Sequence, residues 1–104
     1  MAALVVSVND LPPSPVDAAT LFYLQTVPGI REELPNVTEV VIYFEPADHS
    51  HRGWRLAAVQ ELAREAAPTR VNALVGTERD ALWAARQFLE NAPGVTGQLL
   101  AVEP

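Results

Sequence analysis

The chain ends with LAREAAPTRVNALVGT (residues 62–77), ERDALWAARQFLENAPG (78–94) and VTGQLLAVEP (95–104). These stretches alternate between helical and extended patterns. A helix end gives way to a strand centred on residues 71–74, a second helix follows, and a strand over 97–102 ends the sequence. Short connections between alternating helices and strands are typical of parallel strands joined by crossover helices. This part of the sequence therefore predicts a parallel sheet.

The N-terminal part of the chain predicts a strand followed by a long helix. Ala3–Val8 is continuously apolar and rich in β-branched residues, which favours a strand buried on both faces. Ser14 suits the N-cap of a helix over 14–34 and Pro15 suits its first turn, whereas Pro28 removes a backbone hydrogen bond and predicts a kink or an early end. Apolar side chains recur at helical spacing in this segment, and we expect the face they form to be buried: Val16, Ala19, Tyr23, Leu24, Val27 and Ile30.

The middle of the chain adds a strand over 37–44 and a helix over 52–66. Apolar residues lie nearly all round that helix, and because a helix on a sheet needs one apolar stripe, the surplus predicts a second contact, with a neighbouring helix or another subunit. Thr77 is the expected N-cap of the last helix. The buried face of the last helix is expected to comprise Leu82, Ala85, Phe88 and Leu89. The pattern predicts an α/β fold with a four-stranded parallel sheet in β-α-β-α-β-α-β order and three crossover helices.

Composition limits the class of protein. At 104 residues the chain suits one domain, and the absence of cysteine excludes disulfides, thiolate metal sites and a catalytic cysteine. The chain has 13 acidic and 7 basic side chains, a net charge of −6, which argues against nucleic acid and anionic membrane as partners. The first apolar run is too short for a signal peptide and no stretch approaches the ~18 apolar residues of a membrane span, so a cytoplasmic location is expected.

Two motifs resemble the short-chain dehydrogenase/reductase family. LAREAAPTRVNAL (62–74) is similar to the family's L-A-x-E-x-x-P run leading into R-V-N, and FLENAPGVTGQLLAVEP (88–104) is similar to its closing F-L-x-S-x-x-x-x-x-T-G-Q-x-L-x-V-D. ALVVSVND (3–10) and LFYLQTVPGIREELPNVTEVVIYF (21–44) resemble the strand, long helix and strand earlier in that fold. The resemblance implies a Rossmann-like three-layer sandwich that corresponds to the C-terminal portion of the family's domain.

The sequence departs from the family at the positions that carry its chemistry. The glycine-rich turn that binds the nicotinamide cofactor is missing, since neither G-x-x-x-G-x-G nor G-x-G-x-x-G occurs. The family's catalytic Tyr-x-x-x-Lys positions fall on Asp48 and Arg52. Aspartate is ionised near neutral pH and cannot replace a phenolic acid/base, and Arg52 keeps the positive charge with a different donor geometry. These departures predict a non-catalytic module without a cofactor.

The loop from Glu45 to Arg52 is the one polar cluster whose side chains could bind a ligand or take part in a reaction. It follows a predicted strand, and open α/β sheets bind ligands at the carboxyl ends of their strands. Glu45, Asp48, His49 and His51 could bind a divalent metal, although their spacing matches no metal motif and no metal site is predicted. The loop could instead be a solvated helix-capping segment, or His49, His51 and Arg52 could contact a small anion or a partner. The alternative function is a small enzyme or ligand-binding protein with a remodelled site in this loop.

The resemblance also implies a partner. In the family the two middle helices form a four-helix bundle between subunits, and the matching helices here span about 14–34 and 52–66. We expect a homodimer, or a mixed complex with a full-length short-chain dehydrogenase. Ala3–Val8 would lie at a sheet edge, where a loop covers it or another chain pairs with it. The candidate interface residues are Tyr23, Val27, Trp54, Ala58 and Leu62.

Overall fold

The core of the protein is a four-stranded parallel sheet. The computed structural model describes residues 3–102, and within them the strands lie in the order β1-β2-β3-β4. Their bounds are Ala3–Val8 (β1), Glu39–Phe44 (β2), Arg70–Val75 (β3) and Leu99–Ala101 (β4). β1, β2 and β3 pair along their whole lengths, whereas β4 pairs with the second half of β3 alone. The predicted parallel sheet is confirmed, and its last strand is shorter than the predicted 97–102.

Crossover helices cover both faces of this sheet. The first crossover contains α1 (Pro15–Leu21), a π-helical turn (Phe22–Thr26), α2 (Val27–Glu33) and a 3-10 turn (Leu34–Asn36). The second contains a 3-10 turn (His49–His51) and α3 (Arg52–Ala66), and the third contains α4 (Arg79–Glu90). The first two crossovers share one hydrophobic core with the sheet, and α4 packs through a second core on the opposite face. The predicted Rossmann-like three-layer arrangement is confirmed.

The helix N-termini are capped by side chains. Ser14 accepts a hydrogen bond from the backbone N–H of Asp17 (3.3 Å) and precedes a proline, as predicted for the start of α1. The prediction for α4 is wrong by one residue, because Glu78 is the extended residue at the helix boundary and its carboxylate accepts from the backbone N–H of Ala81 (2.7 Å). Thr77 therefore precedes the helix instead of capping it.

A π-helical turn changes which side chains the first crossover buries. The helix does not end at Pro28, and the irregularity falls one turn earlier, over Phe22–Thr26. Pro28 lacks an N–H, and its ring crowds the carbonyl four residues before it, which lies in that widened turn. The buried residues of this crossover are Ala18, Phe22, Val27 and Ile30. The step from Phe22 to Val27 is longer than the three or four residues that a regular helix gives.

Three large apolar side chains of this crossover face solvent instead of the core. Val16 is 75% exposed, Leu24 is 68% exposed, and Tyr23 is also exposed. The prediction of a single buried face is therefore wrong for these residues. Ala18 takes the buried position in α1, and Val16 lies roughly on the opposite side of the helix. Phe22 is buried at the regular spacing of four residues after Ala18, and the π turn makes Val27 the next buried position, which leaves Tyr23 and Leu24 outside.

Two further predictions of burial are corrected by the packing. Phe88 is 58% exposed, because Leu89 is the residue of α4 that faces the sheet. β1 is not buried on both faces: Val8 is its one buried residue, and none of its residues joins the core under α4. Among the described residues β1 lies at the edge of the sheet, which confirms the predicted edge position.

Asn72 connects β3 to the segment that leads into β4. It is fully buried, its Nδ2 donates to the carbonyl of Val95 (3.0 Å), and its Oδ1 accepts from the backbone N–H of Gln98 (3.0 Å). Between these two partners, Gly97 has φ +74°, a conformation that glycine adopts without steric cost. Asn72 and Gly97 together fix the path of the chain into β4.

Arg70, at the start of β3, ties the sheet to the end of α4. Its Nη1 donates to three carbonyl oxygens in that region, those of Leu89 (2.9 Å), Ala92 (3.0 Å) and Val95 (3.4 Å). A cation is favourable at a helix C-terminus. Its Nη2 lies 3.2 Å from Oε2 of Glu39, which is an ion-pair distance although that oxygen accepts no hydrogen bond. The two side chains are 16% and 6% exposed, so the pair is almost buried.

Candidate functional site

A cleft of about 170 Å³ lies at the carboxyl ends of the strands. One side is lined by the loop after β2 and by Arg52 and Arg55 of α3, and the other by Val75 of β3 and by Leu99 and Ala101 of β4. Parallel α/β sheets bind ligands outside the carboxyl ends of their strands. The polar loop identified in the sequence therefore borders a cavity in the position expected for a ligand site.

Asp48 caps the 3-10 turn at the edge of this cleft. Its Oδ1 accepts a hydrogen bond from the backbone N–H of Ser50 (3.0 Å) and another from the Ser50 hydroxyl. These two bonds, the hydroxyl first, lower the pKa of Asp48 below its ordinary value, and the nearby His49 acts in the same direction. Asp48 is therefore an ionised acceptor near neutral pH. This geometry fits the helix-capping interpretation of the loop.

His51 is buried and both of its ring nitrogens are occupied. Nδ1 lies 3.0 Å from Nε1 of Trp54, and Nε2 lies 3.0 Å from the carbonyl oxygen of Pro13. The indole N–H can only donate and the carbonyl can only accept, so Nδ1 accepts and Nε2 carries the hydrogen. This arrangement fixes the neutral imidazole and joins the loop before α1 to the first turn of α3. In it, both ring nitrogens of His51 are engaged by groups of the same chain.

His49 and Arg52, the other two candidate anion contacts, are exposed and line the cleft. Among residues 3–102, Arg52 forms no salt bridge. The structure therefore brings His49 and Arg52 to one cavity, which Asp48 also lines.

Arg55 is the site residue that sequence reasoning missed. Its side chain is buried, with the residue 7% exposed, and lines the cleft. Nη1 donates to the carbonyl oxygen of Glu45 (2.9 Å), and the guanidinium carbon lies 4.5 Å from the centre of the Phe44 ring. Burial lowers the pKa of Arg55, and the charge of Glu45 partly offsets this. Its Nε has no hydrogen-bond partner in the described chain, and no carboxylate lies within salt-bridge distance.

The sequence did contain a signal for Arg55. It lies three and four residues before Ala58 and Val59, which are fully buried, and so belongs to the inward face of α3. An arginine on the buried face of a helix is rare unless it is paired. This spacing, and not the loop composition, marks the functional candidate.

The carboxylate of Glu45 does not neutralise Arg55 directly. Its Oε1 accepts from the backbone N–H of Asp10 (2.9 Å), which connects the loops that follow β1 and β2. Across residues 3–102, no three histidine, cysteine, aspartate or glutamate side chains converge as metal ligands. The structure therefore does not assemble Glu45, Asp48, His49 and His51 into the metal set that the sequence left open.

A second, shallower cavity of about 650 Å³ lies between α1 and the start of α3. Val16, Tyr23 and Leu24 line one side of it and Trp54 lines the other. We call this set of four the apolar groove. Trp54 continues inward from the groove, packing against the buried rings of the core and donating its N–H to His51.

A charged rim borders the apolar groove at the α2 end. Arg31 of α2 forms a two-point salt bridge with Glu65 of α3 (2.7 and 2.8 Å), and Arg64 pairs with Glu61 (2.5 Å). The hydrogen bond to Arg31 lowers the pKa of Glu65, and the bond to Glu65 raises that of Arg31. The two positive charges and the two negative charges of this rim balance.

The predicted interface residues divide into two groups. Tyr23 and Trp54 line the apolar groove and present surface to solvent. Val27 and Leu62 form the floor of an adjoining depression and are buried. Ala58 is fully buried inside the core of its own chain. Val27, Ala58 and Leu62 are therefore buried within their own chain, whereas Val16 and Leu24 lie exposed beside Tyr23 and Trp54.

A parallel sheet with crossover helices on both faces and a cleft at the carboxyl ends of its strands defines a Rossmann-like α/β protein. Residues 6–102 match the model of a family described as SDR-like, short chain dehydrogenase-like protein, and the chain belongs to that family. The resemblance in the two C-terminal motifs is thus confirmed. Neither the curated proteins nor the solved structures gave a match.

Within residues 3–102, every helix is too short or too polar to cross a membrane.

Proposed function

We propose that the protein is a non-catalytic short-chain dehydrogenase-like interaction module that self-associates through the helices of its first two crossovers. The observation that carries the proposal is the apolar groove, in which Val16 and Leu24 are largely exposed beside Tyr23 and Trp54. Exposed apolar patches with a polar rim are typical of interaction sites. The rim here is the set of balanced charges at the α2 end.

The non-catalytic part of the proposal is supported by Asp48 and Arg52. Asp48 stands where the family has its catalytic tyrosine, and its carboxylate is engaged as the cap of a 3-10 turn. Arg52 stands where the family has its lysine, and an arginine remains protonated without reproducing the geometry of an ammonium group. Neither residue supplies the phenolic acid/base of the parent reaction.

A second copy of the chain is the partner that the surface favours. Each chain carries a net charge of −6, so two copies repel through most of their surfaces. The apolar groove contains no charged side chain, and its rim is neutral overall. A twofold axis would place the same groove from each copy face to face, as in most homodimers. We therefore expect a homodimer through α1, the π turn and the start of α3.

Sedimentation equilibrium at micromolar protein concentration tests this arrangement. The wild type is expected to sediment as a dimer, and Val16→Asp and Leu24→Asp are each expected to give a monomer, because each places an additional buried negative charge at the interface. Phe88→Asp is the matched control: Phe88 is similarly exposed but lies on α4, on the opposite face of the sheet. It is expected to remain dimeric.

Two results would contradict the proposal. The first is a wild-type protein that sediments as a monomer and captures no full-length short-chain dehydrogenase in a pull-down. It would contradict both the homodimer and the mixed complex. The second result is a dimer that persists in both groove variants and is lost in Val5→Lys, on β1. It would show that the protein self-associates through the open edge of the sheet and not through the helices.

A second candidate function is a ligand-binding protein or small enzyme with a remodelled site in the 45–52 loop. The observation that favours it is Arg55, a buried cation without a carboxylate partner at the wall of the cleft. If neither NAD(P)(H) nor divalent metal ions change the temperature of unfolding, the catalytic form of this function loses support. A ligand-binding function without catalysis then requires a ligand that neutralises the charge of Arg55.

A further inference from the structure

We propose that the cleft at the carboxyl ends of β2, β3 and β4 binds a small organic carboxylate, with Arg55 as the buried positive charge and Arg52 at the mouth. This inference rests on the second candidate function and names its ligand class. It does not depend on self-association, because the apolar groove is a separate cavity that shares no lining residue with the cleft.

The first step is the unbalanced charge of Arg55. A buried arginine is ordinarily paired with a carboxylate, since removing an unpaired charge from water is costly. Here the side chain has one carbonyl oxygen and the faces of Phe44 and Trp54 as partners, and its Nε has none in the described chain. A buried polar group without a partner requires an explanation. An anion in the adjacent cleft would supply the missing opposite charge.

The second step is that the nearby carboxylates are engaged elsewhere. Glu45 bonds to the backbone of Asp10, and Asp48 bonds to Ser50. The two acidic side chains that could neutralise Arg55 are thus held by backbone N–H groups of the loops. Because Asp48 also lines the cleft, it repels an anion there and favours a singly charged ligand over a phosphate.

The third step is the shape and polarity of the opposite wall. Val75, Leu99 and Ala101 present apolar surface from β3 and β4. The cleft, at about 170 Å³, is smaller than the roughly 300–1,000 Å³ of sites for drug-sized ligands. A carboxylate with a short apolar body fits both walls, with its charge toward the arginines and its body against the strand ends.

Titration with isobutyrate, followed by NMR and calorimetry, tests the inference. Isobutyrate is expected to shift the amide signals of Val75 and Ala101, and the isosteric neutral amide isobutyramide is expected to bind at least roughly tenfold more weakly. Arg55→Met, which keeps much of the side-chain length, is expected to weaken isobutyrate binding by a similar factor. Arg79→Met is the control: it removes the same charge from an exposed position on α4, outside the cleft, and should leave binding unchanged.

Several outcomes would overturn the inference. They are equal binding of the amide and the carboxylate, unchanged binding in Arg55→Met, and tighter binding of inorganic phosphate than of isobutyrate. If Arg55→Met does not fold, the comparison of acid with amide on the wild type and the loss of affinity in Arg52→Met decide the question. Repeating the titration with Leu24→Asp separates the two proposals, since binding by the monomer shows that the cleft acts without self-association.

Discussion

Replacing Arg70 with methionine should destabilise the protein more than replacing its ionic partner Glu39 with glutamine. Arg70→Met leaves the Glu39 carboxylate, which is 6% exposed, without the cation that lies 3.2 Å away. It also removes the donor from three carbonyl oxygens at the end of α4. Breaking a buried ion pair by removing one partner costs about 3–5 kcal/mol. We expect Arg70→Met to fall in that range, because both side chains are nearly buried.

Glu39→Gln should cost much less. The carboxamide oxygen still faces Nη2 of Arg70, and the arginine keeps its bonds to the carbonyl oxygens of Leu89, Ala92 and Val95. We expect a loss of about 1 kcal/mol, because the charge of Arg70 keeps its hydrogen bonds to these carbonyl oxygens after the carboxylate is gone. In the double variant no uncompensated carboxylate remains, so its loss should be smaller than the sum of the single losses by about 2 kcal/mol.

Urea unfolding followed by far-UV circular dichroism, at one protein concentration for all four proteins, measures these free energies. Losses that add to within about 0.5 kcal/mol would show that the two side chains do not interact. A larger loss for Glu39→Gln than for Arg70→Met would show that the carboxylate, and not the arginine, holds the junction of sheet and helix. Either result refutes the reasoning.

Three further predictions concern single residues. Trp54→Phe should cost about 1–2 kcal/mol in urea unfolding, because it removes the indole N–H and leaves the buried imidazole nitrogen without a donor. NMR titration should give Asp48 a pKa below its ordinary 3.8, and Ser50→Ala should raise that pKa. Because the pKa is lower in the folded than in the unfolded protein, the ionised carboxylate stabilises the fold at pH above the unfolded-state pKa, and this stabilisation is lost as the pH falls through the folded-state pKa. Gly97→Ala should cost about 1–2 kcal/mol in thermal or urea unfolding, because its φ of +74° is strained for any residue with a Cβ.

Matched positions serve as controls for two of these predictions. Trp83→Phe changes an exposed tryptophan on α4 and should fall within about 0.5 kcal/mol of the wild type. Gly94→Ala introduces a Cβ into open space and should also be close to neutral. Equal losses at Trp54 and Trp83, or at Gly97 and Gly94, would show that the hydrogen bond and the backbone conformation are not the causes. An Asp48 pKa unchanged by Ser50→Ala would remove the hydroxyl as the main influence.

The strands and α3 could be predicted from the sequence because their patterns are local. The bounds of β1 and α3 agree with the predicted 3–8 and 52–66, since apolar runs and turn residues define both. The burial of the first crossover could not be predicted in the same way. The π turn over Phe22–Thr26 changes the helical period, and a pattern read at a constant period therefore assigned Tyr23 and Leu24 to the core.

The sequence predicted that the polar loop lies at the strand ends, but it did not predict the burial of Arg55 beside it. Asp48, His49 and Arg52 do line a cleft at the strand ends, because the carboxyl ends of parallel strands meet at one edge. The two ring nitrogens of His51 contact Pro13 and Trp54. Because Pro13 is far from His51 in the sequence, residue spacing could not predict that contact. Arg55 was not predicted because it lies on the helix after the loop, where its burial depends on contacts with Phe44 and Glu45.

The π turn lets the first crossover hold one residue more than a regular helix at one point. Each residue of an α-helix advances the next by about 100° around the axis, so positions four apart share a face and positions five apart do not. Deleting one of residues 23–26 would place Phe22 and Val27 four residues apart in a regular helix, and Val27 and Ile30 would keep their buried positions. Relatives of this chain that are one residue shorter there can therefore bury the same side chains without the turn, whereas a relative of equal length without it must present a different outward surface.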